Sequence, residues 1–298
     1  MERNRPIRDT TPTSTARSAP TGARLTASVV AGELTRLTPR DRLLLDLLDA
    51  HKTFTTEQIH TLAFTSLART RIRLGQLYTR EILDRFRHYT RPGSQSWRWC
   101  LGPVGAAILA AGRGDTLPRP ATVRDATARV AMSPTLPHLV TVNGFFVALT
   151  GHARTHGGTR LRRWWNEARC REQVGAVVRP DGHGVWVAGT RAVPFWLEAD
   201  LGTETLSRVA GKLTGYAALP PSWAYPVLFW FPTGARELNF HAYLTRTGVP
   251  DAVTVATAAA DHAADTGPVG PVWRVAGHPG RVSLADLAPH GDGAPWDG

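Results

Sequence analysis

Two cysteines, Cys100 and Cys170, are the only thiols in 298 residues, and no C-x-x-C occurs. That excludes a disulfide-stapled scaffold and a thiolate zinc site, and it fits a reducing cytoplasm. Long apolar runs are also missing; none approaches the ~20 residues that span a bilayer. The opening segment, MERNRPIRDTTPTSTARSAPTGAR, lacks the apolar stretch of a secretory signal. There is no Gly-x-Ser-x-Gly and no P-loop, which argues against a serine hydrolase and an NTPase. His152 and His156 are four apart, but no third ligand follows at zinc-like spacing, so they read as surface or capping residues. Acids are few: Asp+Glu is 24 against Lys+Arg 35, giving a formal net charge of +11 and a pI near 10.8. That excess suits a polyanionic partner. Apolar residues, in contrast, are ample. At 42% they can build a core over most of the chain, which is long enough for roughly two domains.

Residues 1–36, rich in Thr, Pro, Ser and Arg, read as a disordered basic tail. Order is expected from Leu37. Thr38-Pro39-Arg40-Asp41 is a helix start, with Thr38 as N-cap and Pro39 in the first turn. Leu43, Leu44, Leu47 and Leu48 follow as one apolar face. Thr55 caps a short second helix and Ser66 a third, which reaches about Arg80. In the third helix Leu74, Leu77 and Tyr78 look inward. Arg69, Arg73, Gln76 and Arg80 then form a single outward stripe. Three short helices of which the last is basic make the pattern of a helix-turn-helix. Two short strands, Leu83 to Arg87 and Trp97 to Leu101, flank a basic tip at Thr90 to Ser94 that contains Arg91. They read as a wing. The spacing therefore predicts a winged-helix DNA-binding domain over 37–112, with Arg69, Arg73, Gln76, Arg80 and Arg91 toward the DNA. A helical bundle with a merely solvated Arg stripe is the plainer alternative.

A linker with a connecting helix is expected over 113–133 and a second domain over 134–288, leaving 289–298 as a flexible tail. The second domain opens with an apolar helix, His138 to about His152. Strands are predicted at Arg160 to Trp165, at Val174 to Pro180 with a turn at Asp181-Gly182, and at Val193 to Asp200. Gly184 to Val187 reads as a hairpin arm. A helix from Thr205 to Leu219 and a buried strand from Ala224 to Phe231 follow. Beyond them come a helix at Glu237 to Leu244 and short strands at Val253 to Val255 and Val272 to Val275. The fold class is mixed α+β, with the order αβββαβ in the second domain.

In the strand Val193 to Asp200 the two-residue period puts Glu198 and Asp200 on one face with Trp196. Two carboxylates on a buried face repel unless a cation compensates. Asp181 is expected to reach the same point. Such a group, completed by water, suits Mg²⁺ or Mn²⁺, which would activate water beside a scissile phosphate. Glu204 and Lys212 lie about 80° apart on the following helix and lean toward the same edge, with Tyr216 one turn on. Each piece alone has a plainer reading: Pro-Asp-Gly as a turn, Glu204 as helix-start chemistry, Lys212 as a solvated cation.

In combination these segments resemble a known family. The αβββαβ core looks like the PD-(D/E)xK nuclease superfamily. From about Leu37 to Trp273 the chain resembles the bacterial replication-relaxation family, which joins a winged helix to such a domain and is similar to the C-type plasmid mobilisation relaxases. The matching stretches are Leu37 to Asp41, Leu101 to Gly105, Trp165-Asn166-Glu167, Arg179-Pro180-Asp181, Glu198 to Glu204, and Lys212-Leu213 with Tyr216. The resemblance implies that Asp181 and Glu198 hold metal, that Glu204 or Glu167 is an auxiliary acid, and that Lys212 is the lysine. The superfamily's lysine usually stands two residues after the strand acid, where this chain has Asp200. A tyrosine nucleophile beside a His-hydrophobe-His metal site, used by other relaxases, is excluded because no His-x-His occurs. The implied function is metal-dependent nicking of DNA at a plasmid or mobile-element origin. A non-catalytic DNA-binding regulator, or a replication or mobilisation accessory, is the alternative. DNA is the expected partner, together with a homodimer mate or other replication and mobilisation proteins.

Overall fold

In a computed structural model, which describes residues 25–88 and 95–287, Thr38 caps α2 (Pro39–His51) through a reciprocal box. Its hydroxyl accepts from the Asp41 N–H, and the Asp41 carboxylate accepts from the Thr38 N–H at 2.8 Å. Thr55 and Gln58 build the same device at α3 (Thr56–Ala63), and Ser66 caps α4 (Leu67–Thr79). The described residues form a mixed α+β structure of ten α-helices and two sheets. The chain divides into two compact units, Met1–Leu136 and Pro137–Gly298. Residues 1–24, 89–94 and 288–298 lie outside the described residues, and with them most of the expected N-terminal tail, the expected C-terminal tail and the wing tip with Arg91.

In the first unit, β1 (Phe54–Thr55), β2 (Leu83–Phe86) and β3 (Arg98–Leu101) make an antiparallel sheet in the order β1-β3-β2. Helices α5 (Pro103–Arg113) and α6 (Pro120–Met132) complete it. Three expectations need correction. The predicted tail contains α1 (Ala27–Leu34), capped by Thr26 and held where Arg80 binds Glu33. The inner face of α2 is Leu44, Leu45 and Leu48, while Leu43 is 49% exposed. The connecting helix expected within 113–133 is present as α6, but it packs on α5 and β2 as part of the first unit, with Arg124 paired to Glu81.

The second unit is one six-stranded sheet between helices. Its order is β4 (Thr159–Asn166), β5 (Gly182–Ala188), β6 (Arg191–Ala199), β7 (Val227–Phe231), β8 (Val255–Ala259) and β9 (Arg274–Val275). Strands β4 to β6 run antiparallel, β6 to β8 run parallel, and β9 is antiparallel again. Parallel neighbours need crossovers, and α9 (Leu206–Ala217) and α10 (Gly234–Thr247) supply them. Strand β6 shows how the two faces are filled. Phe195, Leu197 and Ala199 pack with Phe145, Phe146 and Leu149 of α7 (Leu136–Thr155). Trp196 packs oppositely with Cys170 of α8 (Glu167–Val174), Val209 and Leu213 of α9, and Phe240 of α10.

The second strand differs from its prediction. Residues 167–174 are helical and residues 175–181 are not a strand; the strand is β5, which takes in the hairpin arm expected at Gly184 to Val187. The reason lies with Gly182 and Phe146. A Cβ at Gly182 would stand 2.7 Å from the Phe146 ring, so the glycine is there to let α7 lie against the strand. From sequence, Pro-Asp-Gly looks like a turn because glycine has several uses and only packing tells them apart.

Candidate functional site

The antiparallel register of β5 and β6 pairs Gly182 with Leu197 and His183 with Trp196. One residue further, the same register sets Asp181 opposite Glu198. The Asp181 N–H donates to the Leu197 carbonyl at 3.1 Å, and its carboxylate accepts from the Ala199 N–H at 2.8 Å. Two acids are thereby fixed side by side across a strand pair, an arrangement that repels unless neutralised.

The neutralising groups come from α9. Val209, Leu213 and Tyr216 are its buried face, and Lys212 sits one turn before Tyr216, so both reach the strand. The Lys212 ammonium donates to Glu198 Oε2 at 2.5 Å and the Tyr216 hydroxyl donates to Oε1 at 2.5 Å. Lys212 is one of only two lysines in a chain whose other cations are arginines. A flexible point charge therefore stands where a rigid fork is the norm. Burial, then the neighbouring Asp181, push the Glu198 carboxyl well above the usual carboxylate range, against the pull of Lys212 and Tyr216. Burial works against the Lys212 charge, but Glu198 and Asp181 outweigh it and raise its pKa. The Tyr216 hydroxyl is held well above its ordinary value by burial and by Glu198.

His138, in the first turn of α7, places Nε2 3.1 Å from the free side of the Asp181 carboxylate, Oδ1. That bond raises the His138 pKa. In the sequence His138 stands only as a helix start. Its single visible signal was a histidine at the head of an apolar helix, which says nothing about its partner.

Of the predicted set, the structure brings together Asp181, Glu198, Lys212 and Tyr216. It does not bring Asp200. That carboxylate accepts from Arg236 Nε at 2.7 Å and from the Gly202 N–H at 2.6 Å. Asp200 lies just past the end of β6, where the N-terminal turn of α10 presents Arg236, a residue the sequence reading passed over. Glu204 pairs with Arg208 at 3.0 Å and is 39% exposed, though its charge still contributes to the raised Lys212 pKa. Glu167 is exposed in the first turn of α8. Among the described residues, no three His, Cys, Asp or Glu side chains are grouped to hold one metal ion. The predicted three-carboxylate group therefore reduces to two.

The basic helix of the first unit also departs from its predicted form. Arg73 forks onto the buried Asp41, Nε to Oδ1 at 3.0 Å and Nη2 to Oδ2 at 2.5 Å, and donates to Gln76 Oε1 at 3.1 Å. Burial works to raise the Asp41 pKa, but the bonds from Arg73 and Thr38 outweigh it and keep it low. Arg80 is taken by Glu33. Arg69 and Gln76 remain exposed. Behind α4, Arg85 lies over Tyr78 at 4.3 Å and over Trp97 at 4.1 Å, and Arg87 lies over Trp97 at 4.4 Å.

A family model described as replication-relaxation matches residues 45–224, well over half of the chain. The chain belongs to the replication-relaxation family. Neither a curated relative nor a solved structure matches it. The replication-relaxation match begins within α2 and runs past α9, so it takes in α4, Asp181, Glu198 and Lys212. It ends before β7 and α10, and so leaves out Arg236, the partner of Asp200.

Proposed function

We propose that this replication-relaxation protein binds DNA through its first unit, a winged helix-turn-helix, and nicks it with its second, a restriction-endonuclease-like domain. The one observation that carries the nuclease reading is the lysine of α9 on Glu198, with Asp181 opposite. Two acids and a cation, assembled from three separate segments, support the reading of a phosphodiesterase site. Asp181 and Glu198 fit Mg²⁺ or Mn²⁺, because such ions commonly take one or two carboxylates and keep water as their other ligands. Crowding of two carboxylates in a buried setting, visible in the raised Glu198 pKa, is the condition a cation relieves. When bound, the ion supplies an activated water and charge neutralisation at the scissile phosphate. Asp181 and Glu198 would hold it. His138 and the Ala199 N–H fix the Asp181 carboxylate, and Tyr216 fixes Glu198. Lys212, half-exposed beside them, meets the developing charge on the phosphate oxygens.

A specific observation favours a second reading. Both Glu198 oxygens already accept from Lys212 and Tyr216, and Asp200 is bound to Arg236. A domain so closed is also what a non-catalytic replication or mobilisation accessory would keep. Nicking of supercoiled plasmid carrying the cognate element separates the two. With Mg²⁺ or Mn²⁺, wild type is expected to nick, and Asp181→Ala and Lys212→Ala to lose at least about a hundredfold of that rate. Tight DNA binding with no nicking, unaltered by either substitution, would establish the accessory reading.

A further inference from the structure

The face of α4 that points away from the first unit is not the arginine stripe. Thr70, Leu74 and Leu77 are its buried residues. At ~100° per residue the direction opposite them passes through Ile72, and the line through Arg69, Arg73, Gln76 and Arg80 lies roughly 70° to one side. The ion pairs agree with that geometry, since Arg73 and Arg80 bend back onto Asp41 and Glu33. Ile72 is 63% exposed on a helix that holds no acidic residue. Exposed Arg69 stands to one side of it and exposed Arg71 to the other, while exposed Gln76 lies one turn on. Arg69 also lines a cleft with Arg40 and Phe64, and Arg40 lies 4.6 Å over the Phe64 ring.

We propose that α4 reads duplex DNA through Ile72, whose exposed side chain packs against the 5-methyl group of a thymine in the major groove. Gln76 reads the neighbouring base edge. Arg69, with Arg40 across the cleft, grips a backbone phosphate. This inference rests on the DNA-binding reading of the first unit. It assigns base recognition to a position that the arginine pattern passes over. The chemistry is complementary on both counts: a branched apolar side chain suits the one methyl group in the groove, and flanking guanidinium groups suit the phosphates. Arg73 is a positioning residue. Anchored by Asp41, it holds Gln76 Oε1 and so leaves the Gln76 amide N–H groups toward the groove.

The test is selection of bound duplexes from a randomised pool by the full chain, followed by replacing each enriched thymine with uracil, which removes only the methyl. Wild type is expected to weaken roughly three- to tenfold at one position. Ile72→Ala is expected to bind the thymine and uracil duplexes equally, and Ile72→Val to keep part of the difference. Arg69→Ala is expected to weaken every duplex alike and to flatten the salt dependence. Selected duplexes that bind tightly but tolerate uracil throughout, with Ile72→Ala unchanged, would overturn the inference and leave DNA binding standing. No binding to any duplex would remove both.

Discussion

Asp200 shows most clearly that a residue's neighbours decide its role. By strand period it shares a face with Glu198, yet Arg236 claims it. We expect Asp200→Asn to lower the melting temperature of the second unit while changing any metal-dependent nicking less than about threefold. Its effect is on the α10 contact, and loss of one buried charge partner costs about 3–5 kcal/mol. Arg73 gives the matching case in the first unit. Arg73→Met strands the buried Asp41 and should cost about 3–5 kcal/mol in a denaturant titration. An arginine that only met solvent or phosphate would cost far less. His183 supplies a pH dependence. It is fully buried, its Nδ1–H donates to the Phe195 carbonyl at 2.8 Å, and burial pushes its pKa down to about 3 from 6.5. The unfolded chain takes up that proton below about 6.5 while the folded chain does not, so stability falls as pH drops from about 6.5 toward 3. A His183→Gln variant followed by urea melts across that range should show a shallower fall. An equal slope in both would show that other groups govern it.

At the scale of elements, α9 carries Lys212 and has two glycines with opposite demands. A Cβ at Gly211 meets nothing within 4 Å, whereas one at Gly215 would lie 2.8 Å from the Val177 carbonyl oxygen. Gly211→Ala is expected to stabilise the second unit by about 0.5–1 kcal/mol, and Gly215→Ala to destabilise it by about 1–3 kcal/mol, both read from thermal melts. Reversed signs would mean that α9 sits differently on the strand. Most element starts were legible in the sequence because caps are local. Thr38, Thr55 and Ser66 each bond within three residues, and the helices begin where they say. Of β5 only the arm Gly184 to Val187 was legible, not its start at Gly182. Its glycines serve a contact with Phe146 thirty-odd residues earlier in the chain, and α8 before it has only eight residues to display a period. Helix α1 was missed for a related reason. Its sequence, ASVVAGEL, is too short to stand on propensity, and Glu33 needs Arg80 to hold it.

For the whole molecule, two units within one replication-relaxation chain carry different kinds of chemistry, a cationic helix in the first and an acid pair in the second. No helix among the described residues is long and apolar enough to cross a membrane. The sequence by itself determined the mixed α+β class, the capped helices and the basic third helix. These follow from local rules of spacing, capping and alternation. It also carried the family resemblance, which the match over residues 45–224 bears out. Only the tertiary structure decided which acids stand together. Asp181 meets Glu198 through a strand register, Lys212 and Tyr216 reach them through the packing of α9, and His138 arrives from a helix more than forty residues upstream. It also decided which of the α4 arginines stay exposed, since Arg73 and Arg80 turn back onto Asp41 and Glu33. Charge and hydrogen-bond partners are chosen by distance in space, and a linear pattern records only the distance along the chain.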